Sequence, residues 1–203
     1  MKIAILSACV GLALPAAAAF AQPQEAPQPR NTPGLPSQLA AIDDVLTGGL
    51  LNDPTTLAWD GYGSDMTREM VTDESYPGGG AALRIVQGTA GPVYDSGINI
   101  PILAPIEEGE RVTIGFFARA IDTDAPAGTA MVGVRFQQNR EPYPGFGDRT
   151  VTIGPDWNFY EVSAVADRDI RRDAIVALQF GLQRQTLEIG QAIVVSGVST
   201  IVN

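Results

Sequence analysis

The sequence predicts an all-β fold, a two-sheet jelly-roll β-sandwich, on three observations. Nine or ten short strand-like stretches follow one another, and 111–120, 132–136 and 176–182 alternate apolar and polar residues with the period of two that a half-buried strand requires. Turn chemistry separates them, as in Pro77-Gly78-Gly79-Gly80, Gly91-Pro92, Pro105 with Gly109, and residues 124–128 and 142–147. No helical stretch falls between them, which favours two packed sheets over a βαβ arrangement.

Taken in order, the first 21 residues read as a secretory signal. Lys2 supplies the positive start, residues 3–14 the apolar run, and Pro15 breaks it; Ala19-Phe20-Ala21 then gives the small-x-small pattern before Gln22. The run is shorter than the about 20 residues that span a bilayer. Leu6-Ser7-Ala8-Cys9 also has the small-residue-then-Cys form of a lipobox. Only about two helical turns of chain precede Cys9, so cleavage after Ala21 is the expectation. Residues 22–37 carry prolines at 23, 27, 29, 33 and 36 and little that is apolar, which predicts an extended, disordered linker.

The folded domain is expected over residues 38–203. Ser37 can cap a short amphipathic helix over residues 38–46, with Leu39, Ile42, Val45 and Leu46 on one face and Gly48-Gly49 as its stop. Strands follow at 67–72, 82–87, 92–98, 111–120, 132–136, 149–153, 158–165, 176–182 and 186–202. The clearest is 111–120, where Val112, Ile114, Phe116 and Ala118 share one side. No internal repeat or second domain is visible.

Composition narrows the chemistry. Cys9 is the only cysteine, Lys2 the only lysine, and histidine is absent. After cleavage at Ala21 the chain would form no disulfide, although export permits one. Zinc and copper sites lose their usual ligands, and nucleophilic mechanisms built on Cys, Lys or a Ser–His pair are excluded. Removing Lys2 from the 13 basic residues leaves 12 arginines against 23 acidic side chains, a formal charge of −11. Nucleic acid and anionic membrane surfaces are repelled by such a balance, so neither is an expected partner. The acidity also has a plain reading as solubility.

Four segments carry a family resemblance: Leu50-Leu51-Asn52 followed by Trp59; Gly78-Gly79-Gly80-Ala81-Ala82-Leu83-Arg84-Ile85; Ile106-Glu107-Glu108-Gly109-Glu110 running into the 111–120 strand; and Trp157-Asn158-Phe159-Tyr160. In this order, from about residue 50 onward, they resemble the galactose-binding-like jelly roll of carbohydrate-binding modules of families 4, 9 and 22. Val112 stands where that pattern usually has an aromatic residue. The closing Gln185-Thr186-Leu187-Glu188-Ile189-Gly190 departs from the commoner ending with paired aspartates, one of which often helps to hold a structural calcium. The expectation is therefore of no cofactor, with a structural calcium left open. The resemblance implies a poly- or oligosaccharide ligand and structural roles for Trp157 and Tyr160.

The residues themselves point to a site by strand parity. If Val112, Ile114 and Phe116 face the core, Arg119 faces out; likewise Arg135 and Gln137 lie opposite Val134 and Phe136, and Gln179 and Gln183 opposite Leu178 and Leu182. Guanidinium and amide groups offer several donors at once to vicinal hydroxyls. Tyr143, in the rigid loop Glu141-Pro142-Tyr143-Pro144-Gly145-Phe146-Gly147, would supply a ring on which a pyranose can stack, with Phe146, Tyr94 and Tyr76 as further candidates. The candidate ligand-binding set is Arg119, Arg135, Gln137, Tyr143, Gln179 and Gln183, on the premise that all share one outward surface. A solvated sheet face, or rings that lid the core, would give the same pattern. Two other classes stay open. One is an interaction domain that docks through the sandwich; the other is a carboxylate-dependent glycan-active enzyme, for which Glu141 and Glu161 lie nearest the expected cleft.

Overall fold

The structure is a computed structural model that describes residues 32–44 and 48–202. The signal expected over 1–21, most of the 22–37 linker, and Val45 and Leu46 of the expected helix lie outside the described residues.

Among the described residues, ten strands form two five-stranded antiparallel sheets, as the alternation predicts. They are β1 (Asp60–Tyr62), β2 (Met66–Thr72), β3 (Ala81–Gln87), β4 (Gly97–Pro101), β5 (Arg111–Thr123), β6 (Ala130–Gln138), β7 (Gly145–Ile153), β8 (Asn158–Val165), β9 (Ala174–Gln179) and β10 (Gln185–Ser196). One sheet runs β2-β3-β10-β5-β8 and is called the back sheet; the other runs β1-β4-β9-β6-β7 and is called the front sheet. Only β2 to β3 and β6 to β7 stay within one sheet; at every other step from β1 to β10 the chain crosses between sheets, so sequence neighbours often lie on opposite sides of the sandwich.

Between the sheets sits one core. Ile85, Val112, Ile114, Phe116, Leu187 and Ile189 enter it from the back sheet, and Ile98, Ile100, Val134, Phe136, Val176 and Leu178 from the front. Each fully buried side chain of this kind contributes roughly 1.5–3 kcal/mol, and with no cysteine among the described residues burial carries the stability. Trp59 and Leu51 complete the same core. Asn52, also buried, accepts from Val194 N at 2.7 Å and donates to Ala192 O at 2.9 Å, stitching the chain beside the β10 bulge.

Three local expectations change. The helix is a single turn, α1 (Ala40–Asp43), preceded by a 3-10 turn at Ser37–Leu39. Its inward face is Leu39 and Asp43, while Ile42 is exposed. Asp43 is buried because it accepts from Thr32 N (3.1 Å) and Leu50 N (2.7 Å), so backbone donors outcompete the apolar stripe. The same bonds, with Thr32 Oγ1 to Leu50 O, pin the end of the stretch expected to be a disordered linker. Residues 92–98, expected as a strand, instead begin with a 3-10 turn at Val93–Asp95 and reach the sheet only at Gly97. Leu35, Leu39 and Leu50 pack with Ile193, Val195, Val198 and Ile201 on the outer side of the back sheet, so both ends of the described chain lie there.

Candidate functional site

The outer side of the front sheet is a groove of about 550 Å³, within the range of small-molecule sites. Strand register sets its floor in rows across the sheet. Tyr62, Gly97, Gln179 and Gly133 make one row; Asp60, Asn99, Ala177 and Arg135 the next; Pro101, Ile175, Gln137 and Gly145 the third. Large and small residues alternate, which leaves depth. A Cβ at Gly97 would stand 2.6 Å from Tyr62 Oη, so glycine lets that ring lie down across the floor.

Walls rise at both ends of the strands. Val93 and Tyr94, in the turn before β4, stand beside the Gly133 row, and Tyr143 and Asn139 stand beside the Gln137 row. Tyr94 is 65% and Tyr143 46% exposed, far above the norm for rings of this fold's core. Tyr143 holds φ at +56°, a left-handed conformation uncommon for a bulky residue and costing of order 1–3 kcal/mol. Its amide donates to Arg140 O, fixing the turn that lifts the ring.

Arg135 and Asp148 meet through a bulge. Gly147 and Asp148 together oppose Arg135, between the Val134–Arg149 and Phe136–Phe146 pairs. Gly147 takes φ +75° there, and a Cβ on it would come 2.6 Å from Ala164, so only glycine fits. The extra residue turns Asp148 towards the groove, where its carboxylate accepts from Arg135 Nη1. Guanidinium and carboxylate thus neutralise each other, and the groove lining carries no net charge.

Two polar groups on the floor stand out. Asn99 Oδ1 is buried without a hydrogen-bond partner, a costly state for an acceptor. Burial raises the Tyr62 phenol above its ordinary pKa, the Gln179 hydrogen bond lowers it in part, and Tyr143 raises it further. Tyr62 therefore stays a neutral hydroxyl at neutral pH, able both to donate and to accept.

Of the six candidate residues, Arg135, Gln137, Tyr143 and Gln179 converge on this groove. Arg119 does not. It faces outward as parity predicts, but β5 belongs to the back sheet, so outward there means the opposite side of the molecule. It contacts Glu188 and Asp73 at 2.7 and 2.6 Å and stacks its guanidinium over Trp157. Gln183 also lies elsewhere. β9 ends at Gln179 and the chain turns, which breaks the alternation; Gln183 donates to Thr129 O and Gln185 Oε1 instead.

Among the other aromatics, Phe146 is in the core stacked on Phe136. Tyr76 is buried on the back sheet against Phe117 and Trp157, accepting from Gln191 N at 2.7 Å. Trp157 donates to Asp73 and Tyr160 accepts from Gly154 N. Glu161 accepts from Ile201 N and Val202 N, which places it on the back sheet away from the groove.

Sequence reasoning missed Tyr62, Asn99, Asn139 and Asp148. Asn99 was legible, since Ile98 and Ile100 facing inward require it to face out. Asp148 was not, because the bulge that redirects it is a departure from parity.

Among the described residues no group of three or more His, Cys, Asp or Glu gathers as a metal site. Glu188, the acidic residue of the last strand, has both oxygens engaged by Arg84 and Arg119 and does not fit a calcium ligand.

No protein-family model matches the chain, and no curated protein sequence does. Solved structures share its fold. A CBM4 structure aligns with a TM-score of 0.51 at 20% sequence identity, covering 71% of this chain and 97% of that one. The CBM22-1 xylan-binding domain of Xyn10C from Paenibacillus barcinonensis aligns with a TM-score of 0.51 at 10% identity, covering 71% of this chain and 89% of that one. The domain has a carbohydrate-binding-module-like β-sandwich fold.

Proposed function

We propose that this is an exported, non-catalytic carbohydrate-binding domain that lays a stretch of poly- or oligosaccharide in the groove of the front sheet. One observation carries the reading: a groove of no net charge whose floor presents amide, phenol and guanidinium groups, and whose opposite walls each hold out a tyrosine. A sugar ring needs both surfaces at once. Its C–H faces stack on aromatic rings, while its rim of hydroxyls needs paired donors and acceptors. Tyr94 and Tyr143 supply the first; Tyr62, Asn99, Arg135, Gln137 and Gln179 supply the second.

The same lining supports a binding role over hydrolysis. Two-carboxylate glycoside hydrolysis needs an acid and a second carboxylate about 5–9.5 Å apart. Asp148 is the one carboxylate among the groove's lining residues, and Arg135 already holds it. Export rests on the signal read in residues 1–21, and a mature chain beginning at Gln22 in the periplasmic or extracellular fraction is its check.

Affinity electrophoresis on a polysaccharide panel tests the binding role. The native domain is expected to be retarded by at least one neutral glycan, and Tyr143→Ala combined with Gln137→Ala to migrate freely. A native domain that no glycan retards overturns the reading, and release of reducing ends or unsaturated products overturns its non-catalytic part.

A further inference from the structure

Beside the groove lies a second, shallower pocket of about 150 Å³, bounded by Val93, Gly133, Asp148, Arg149, Thr150 and Gln179. Three of these, Val93, Asp148 and Gln179, also line the groove, so the two spaces adjoin. Val93 divides them. Its Cγ2 lies 2.5 Å from where a Cβ on Gly133 would stand, so any side chain at 133 would collide with Val93 and block the pocket floor. Gln179 spans the divide: its Nε2 is 3.5 Å from Tyr62 Oη on the groove side, and its Oε1 lies against Gly133 at the pocket floor.

We propose that this pocket is a branch subsite, so that the preferred ligand is a glycan backbone carrying single-sugar branches. The inference rests on the groove reading above and adds the class of chain. At about 30 Å³ per water, the pocket holds roughly five waters, room for a small substituent and not for a second backbone chain. Its boundary mixes the Asp148 carboxylate, the Thr150 hydroxyl and the Gln179 amide, donors and acceptors together. Such a boundary suits a ring bearing several hydroxyls, and an ester-linked acyl group would leave those groups unmatched. A backbone residue seated over Gln179 would direct its substituent past Val93 into this space.

Isothermal titration with matched linear and singly branched oligosaccharides tests it: xylohexaose against its arabinosyl-substituted form, cellohexaose against a xyloglucan oligosaccharide, and mannohexaose against its galactosyl-substituted form. In the pair that binds, the branched member is expected to bind about tenfold more tightly, the equivalent of two added hydrogen bonds. Thr150→Trp, on the exposed edge strand, should abolish that gain and leave linear affinity unchanged. Equal affinities, or tighter binding of the linear member, overturn the branch subsite and leave the groove reading standing. Absence of binding to every linear and branched member, together with no retardation on the polysaccharide panel, overturns the groove reading itself.

Discussion

The outer sides of the two sheets carry the same kinds of residue and do opposite things with them. On the back sheet, Glu188 is fully buried between Arg84 and Arg119, Arg119 reaches on to Asp73, and Asp73 accepts from Ser75 and Trp157. Tyr76, Phe117, Phe159 and Trp157 close over that network, and both ends of the described chain pack beside it. On the front sheet, Tyr94 and Tyr143 stand in solvent and Asn99 Oδ1 lacks a partner. Polarity on a strand's outer side therefore says only that the side is not core. What separates a structural face from the proposed binding face is whether the polar groups already satisfy one another.

The sharpest way to break this contrast is to remove Glu188. Glu188→Ala leaves two guanidinium groups facing each other and should destabilise the domain by about 3 kcal/mol, the low end for breaking a buried pair because both arginines keep partial contact with solvent. Urea unfolding should show this loss while the protein that remains folded keeps its glycan retention. A lost retention in folded protein would mean that the two sides are coupled.

Next in size is a matched pair of arginine variants. Arg135→Ala should weaken glycan binding about tenfold, in keeping with 1.5–3 kcal/mol for hydrogen bonds to a charged group, with little change in stability. Arg119→Ala should do the reverse, lowering the unfolding midpoint and leaving the dissociation constant alone. Titration calorimetry beside thermal unfolding reads both.

Tyr94→Ala, which removes one exposed ring, should cost binding about 0.5–1.5 kcal/mol of stacking, and thermal unfolding should not register it. The smallest effect belongs to acid. Hydrogen bonds from Ser75 and Trp157 hold Asp73 down from 3.8 to about 2, so its contribution is present above about pH 4 and fades as pH falls towards 2. Asp73→Asn should flatten that part of the stability–pH profile, and an unchanged slope would show that other carboxylates govern it.

Much of the fold was legible in the residues and less of the site. Alternation in 111–120, 132–136 and 176–179 gave the right inward sides because a two-residue period survives any sheet assignment. It could not say which sheet a strand joins, and Arg119 shows the consequence: correct orientation, opposite side of the molecule. Gln183 shows a second limit, since parity ends where a strand does. Ile42 shows a third, because a carboxylate with two backbone donors to satisfy took the inward position that an apolar stripe predicted.

The placing of both ends of the described chain on the outer side of the back sheet decides how the domain can be held. A surface or tag joined close to residue 32 or 202 grips it from behind, with the sandwich's full thickness between the attachment and the groove. Tethering there leaves the tyrosine walls pointing at whatever approaches.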